Sequence, residues 1–125
     1  LPAGHSARSL MGHARSAMAR FARCGADLFL AGHLHVGYAV HTAERYHIAG
    51  HSALVVHAGT AVSTRTRGEW NSFNVLRVEH PRILVERWQW QPGTRGMIGE
   101  AGTRGRFVLR EDRRFEHGPD GWLPV

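Results

Sequence analysis

The chain has 125 residues, 42% of them apolar and 21% charged, with one cysteine and a formal net charge of +6. That is one domain's worth of chain or less, enough for a modest core, and the composition excludes a disordered segment or a disulfide-stapled scaffold. No apolar run is long enough to cross a bilayer as a helix, and the opening LPAGHSARSL lacks the apolar stretch of a secretory signal.

The lone Cys24 cannot form an internal disulfide and suits a reducing, cytoplasmic compartment. Leu1 in place of an initiating methionine leads us to expect a processed chain or a fragment. All 16 basic residues are arginine, which raises the question of a phosphate-bearing partner. Most of them are scattered or stand beside acids, as in LREDRRFE (109–116), so a solvated surface is favoured over a dedicated nucleic-acid face.

Residues 9–24, SLMGHARSAMARFARC, repeat Leu10, Ala14, Met18 and Phe21 at helical spacing. They predict an amphipathic helix stopped by Gly25, with Arg20 and Arg23 near its negative end. Asp27 then opens LFLA (28–31), short and uniformly apolar, which predicts a buried strand. Strand-like pieces come next at 36–42, 45–50, 52–59, 72–79 and 83–90. In the last of these, Ile83, Val85, Arg87 and Gln89 share one face, and Leu84, Glu86, Trp88 and Trp90 the other.

His80-Pro81 predicts a tight hairpin turn between the last two pieces. The glycine-rich 92–105 predicts a loop, and 106–112 and 113–118 a final pair of short strands. The expected class is α/β, seen here as α+β: one helix, then mainly strands. A single helix cannot cover both faces of such a sheet, so a further layer is expected from an N-terminal half outside these residues. Residues 1–91 form the main unit, and 92–125 a glycine-rich loop with terminal strands.

The chemistry concentrates in LFLAGHLHVGY (28–38). In an extended segment, residues two apart point the same way, so His33 and His35 aim at one place while Leu34 turns away. The position just past the carboxyl end of a buried strand is where α/β sheets gather ligands. Neutral imidazole is the commonest side-chain metal ligand. The segment is therefore read as metal-binding, the two histidines holding one ion jointly or two adjacent ions separately. Gly32 and Gly37 suggest a close approach to the backbone.

ADLFLAGHLH (26–35) resembles the closing GHxH motif of the calcineurin-like metallophosphoesterases, with the helix, glycine, aspartate and strand that precede it. VVHAGTAVSTRTRGEWNSFNVLRVE (55–79) is similar to the strands beyond this motif in bacterial members of the cyclic-nucleotide phosphodiesterase type. The resemblance covers about residues 3–90.

That resemblance implies a four-layer αββα sandwich around two divalent metal ions, whose identity among Mn, Fe, Zn and similar ions stays open. His33 would ligate one ion and His35 the other. The family's earlier motifs, DxH, GDxxD and GNHD/E, are absent, and His5 lacks the HHP context. The chain thus looks like the C-terminal third or so of such an enzyme.

Other candidates are weaker. His47 and His51 lie in strand and turn rather than on a helix, and no HExxH glutamate accompanies them. His57 reads as an inner-sheet histidine, or as a support for the metal ligands. Arg65 and Arg67 sit on a polar loop where they could touch a phosphate, although arginine is this chain's ordinary basic residue. Cys24 has no activating neighbour.

The expectation is a phosphoric ester hydrolase with a phosphate-ester substrate and no membrane span. The alternative is a non-catalytic arginine-rich β module that binds nucleic acid or protein.

Overall fold

A computed structural model describes residues 14–32, 38–41, 52–63, 69–95 and 102–125. The described elements are one helix, α1 (Ala14–Arg23), and seven strands. The strands are β1 (Leu28–Ala31), β2 (Tyr38–His41), β3 (Leu54–His57), β4 (Ser72–Glu79), β5 (Arg82–Gln91), β6 (Arg106–Gly118) and β7 (Gly121–Pro124). The expected strand at 45–50 lies outside the described residues, as does the helix's proposed first turn.

The helix ends as its sequence predicts. Gly25 takes a left-handed φ of 69°, its amide donates to the Ala22 carbonyl, and the Ala26 amide donates to the Phe21 carbonyl. This pair of bonds is the glycine-terminated cap that satisfies the last free carbonyls. Phe21 packs against Phe29 of β1, with ring centroids 5.5 Å apart, and so seats the helix on the first sheet.

Two sheets form. The first has the order β1-β3-β2, with β1 parallel and β2 antiparallel to the central β3. The second is an antiparallel meander, β4-β5-β6-β7. They share one core: Leu54 and Val56 of β3 meet Ile83, Val85, Phe115 and Trp122, with Leu28 and Leu76 at its margin. The second sheet therefore covers one face of the first. Alternation explains why both sheets can take part, since each offers one apolar face and the two faces cover each other. The faces read from 83–90 are those observed, with Ile83 and Val85 buried in the core.

The final strands differ from expectation. Residues 106–118 form one 13-residue strand rather than two short ones, and GWLP adds an unexpected strand, β7. In β6, Glu111 pairs with Arg87 and Leu109 with Trp88, which leaves Arg110 as an extra, bulged residue. The bulge inverts the in–out alternation along the strand.

Backbone contacts fasten the sheets at both ends of β3. Before it, the Ser52 carbonyl accepts from the Trp122 amide at 2.8 Å, and the Ser52 hydroxyl donates to the Trp122 carbonyl at 2.9 Å. After it, the Thr60 carbonyl accepts from the Ser72 amide at 2.9 Å. Gly121 has a φ of 95°, and a Cβ there would run into the Ser52 backbone. Gly121→Ala should therefore lower unfolding free energy by about 2–3 kcal/mol, combining backbone strain with the clash. Gly25→Ala, where a Cβ meets open space, should cost about 1 kcal/mol, from strain alone. Urea unfolding of the two variants checks this order.

Candidate functional site at the carboxyl end of the parallel strands

The two parallel strands are in register from Leu28↔Leu54 to Ala31↔His57, so they end side by side. The Leu54 amide donates to the Asp27 carbonyl at one end, and the Ala58 amide to the Ala31 carbonyl at the other, both at 2.8 Å. Parallel pairing aligns both carboxyl ends on one edge of the sheet. The chain leaving β1 at Ala31 therefore starts from the same edge as the chain leaving β3 at His57.

Gly32 comes directly after Ala31, and the two histidines come after Gly32. His33 and His35 lie outside the described residues, as do His5, His47, His51, Arg65, Arg67 and Gly37. At Gly32, an added Cβ would meet nothing within 4 Å, so the close approach expected there is not found among the described residues. Among the described residues, no group of three or more His, Cys, Asp or Glu side chains is placed to hold a metal ion.

His57 is half-buried at the end of β3, and the Asn74 amide nitrogen donates to its carbonyl at 2.9 Å. This bond carries a β4 side chain across to the end of the first sheet. Around it, the inner face of the second sheet changes character. Ile83, Val85, Phe115 and Trp122 fill one end, whereas Asn74, Arg87 and Gln89 continue the same face toward the site edge.

Arg87 is only 20% exposed, and its Nη2 donates to Glu69 Oε2 at 2.8 Å, with Glu69 28% exposed. A guanidinium on an otherwise inward face needs such a partner, because a half-buried charge without one is costly. Periodicity placed Arg87 beside Ile83 and Val85, and an arginine on a core face was the available signal that a polar region begins there.

Five other contacts bear on the basic charge and on the opposite end. Arg77 pairs with Glu86, Arg82 with Glu116, Arg113 with Glu111 and Arg114 with Asp112. With Arg87, these arginines are locally neutralised and present no free basic face. Away from the site, His117 stands 3.8 Å from Asp27 at the start of β1, its ring edge-on to Trp122. Cys24 is free and exposed at the helix end. No helix among the described residues is long and apolar enough to cross a membrane.

No protein-family model matches the chain, and neither a curated protein nor a solved structure matches it.

The Arg87–Glu69 pair is expected to hold the loop before β4 against the second sheet. A double-mutant cycle of Arg87→Ala and Glu69→Ala should give a coupling of about 1 kcal/mol, between the values of exposed and buried pairs. Additive losses in thermal or urea unfolding would show that the pair is solvent-screened and holds nothing.

Proposed function

We propose that this chain is the C-terminal part of a two-metal phosphoric ester hydrolase similar to the calcineurin-like metallophosphoesterases, in which His33 and His35 are metal ligands. The observation that carries this reading is the course of the chain around GHLH. A capped helix leads through Asp27 into a short strand, β1, whose carboxyl end opens onto the histidine segment beside the end of parallel β3. Side chains that leave such an edge converge on a common ligand position.

The donor chemistry fits. Two imidazoles one residue apart suit Mn, Fe or Zn as nitrogen ligands. When bound, two divalent ions supply charge neutralisation for the phosphate and a nucleophile at neutral pH. His33 and His35 hold and space the ions. The Asn74 bond to the His57 carbonyl fixes the end of β3, the strand that runs parallel to β1. The carboxylate ligands of the family's DxH and GDxxD motifs, which this sequence lacks, would come from sequence upstream, together with the outer layers of a four-layer αββα sandwich.

The nucleic-acid alternative draws on the excess of arginine. The carboxylate partners of Arg77, Arg82, Arg87, Arg113 and Arg114 weigh against it. A binding face for a polyanion needs arginines whose charge is available to phosphates.

In the protein carrying the upstream motifs, His33→Ala and His35→Ala should each lower hydrolysis of bis(p-nitrophenyl) phosphate by at least about a hundredfold. Elemental analysis should show metal lost from each variant, with the far-ultraviolet circular dichroism unchanged. Near-parental turnover and full metal content in either variant would overturn the ligand assignment.

The 125-residue chain alone should hydrolyse no phosphate ester and should bind Mn²⁺ or Zn²⁺ only weakly in calorimetry. Two imidazoles leave most coordination positions to water, and no carboxylate separates the adjacent cations. Turnover by the chain itself, with stoichiometric metal, would contradict the division of ligands proposed above.

A further inference from the structure

The second sheet is longer than the first, and the excess length projects at the site end. β3 stops at His57, whereas β5 continues to Gln91 and β6 begins at Arg106. Ser72 pairs with Gln89, and its amide reaches the Thr60 carbonyl, three residues past the end of β3. The Gln89 end of the sheet therefore stands on the same side of the molecule as the carboxyl ends of β1 and β3.

A cleft of about 110 Å³ lies on this projecting end, lined by Trp70, Gln89, Trp90, Pro92, Val108 and Arg110. Three features of it are unusual. Trp70 is 57% exposed, a large apolar ring left in water. Its backbone is nonetheless held, because the next two residues are bonded, the Asn71 carbonyl to the Trp90 amide at 2.7 Å and the Ser72 amide to Thr60. Arg110 is the bulged residue of β6, and a bulge re-aims a side chain out of the regular alternation. Its Nε donates to the Gln89 side-chain oxygen at 3.2 Å, which orients the guanidinium. No carboxylate among the described residues pairs with Arg110, unlike five other arginines of the second sheet.

We infer that this cleft binds a planar aromatic group with an anionic or hydrogen-bond-accepting rim, and that it receives the organic part of the phosphoric ester. The choice of ligand comes from the lining. Trp70 offers a flat π-face, Val108 and Pro92 an apolar edge, and Arg110 terminal N–H donors held in plane by Gln89. A cavity of about 150 Å³ accepts benzene, so a cleft of this size, open to solvent, suits a single ring edge rather than a bulky aliphatic group. A saturated ring fills similar volume yet cannot stack on the indole. Inorganic phosphate reaches Arg110 yet leaves Trp70 bare.

The identity of the ligand as an ester component rests on the proposed hydrolase. The cleft itself is testable without metal. The probes are phenylphosphonate, cyclohexylphosphonate and inorganic phosphate, titrated into the ¹⁵N-labelled chain in metal-free buffer while the four indole N–H resonances are followed. Phenylphosphonate should move the Trp70 resonance saturably and bind at least about tenfold more tightly than cyclohexylphosphonate. Trp70→Ala should abolish that preference. Arg110→Gln should weaken both phosphonates alike and leave the preference for the aromatic ring intact.

Equal binding of the two phosphonates, or an aromatic preference that survives Trp70→Ala, would overturn the inference. Because no metal enters this titration, its outcome is separate from that of the metal-content experiment, and either reading can fail while the other stands.

Discussion

The described structure depends on β3, the central strand of the first sheet and the strand that supplies that sheet's fully buried side chains to the shared core. It carries the ladder to β1 on one side and to β2 on the other, and its Leu54 and Val56 are the first sheet's buried contribution to the shared core. Burying an aliphatic side chain of this kind contributes roughly 1.5–3 kcal/mol. Burial alone leaves two sheets free to slide, since apolar contact has no direction. The directional part comes from Ser52 and Thr60, the residues that flank β3 and bond to β7 and β4 respectively. The strand is held like a rung, and the edge at which it ends is fixed relative to the second sheet.

That edge is where the chemistry is proposed to lie, and the fixing explains why it is a suitable place. β1 inherits its position from β3 through parallel pairing, and so does the point at which Gly32 leaves the sheet. A side chain from β4, Asn74, closes over the end of β3 by bonding to the His57 carbonyl. The polar continuation of the inner face, Asn74, Arg87 and Gln89, is half-buried at this end and is bonded within the protein, to the His57 carbonyl, Glu69 and Arg110 respectively. A histidine pair leaving such an edge begins from a rigid base, which is what close placement of metal ligands requires.

Much of this was legible because it is local. The Gly25 stop, the β4 strand at 72–79 and the two faces of β5 follow from local signals of turn chemistry and of period 2. LFLA is a strand as its apolar run predicts but not the buried one expected: β1 stands at the edge of its sheet among the described strands, and Leu30 is 68% exposed. β6 was not legible as one strand. Its LREDRR centre looks like solvated surface, and the bulge at Arg110 breaks the alternation that would have revealed it. β7 is four residues long, starts at a glycine and ends at a proline, and it exists because Ser52 and β6 offer it partners, Ser52 far away in sequence. The histidine pair was visible as a motif. The Arg87–Glu69 and Asn74–His57 contacts span 18 and 17 residues, and no periodicity encodes such pairings.

The central claim is that His33 and His35 are metal ligands at the carboxyl end of β1. The most direct test is anomalous diffraction at the manganese edge from crystals of the protein with its upstream motifs, grown with Mn²⁺. The account predicts an anomalous peak beyond Ala31, with an imidazole nitrogen of each histidine about 2.0–2.2 Å from a metal position. Ordered histidines bonded only to protein groups, with the anomalous density elsewhere, would contradict it.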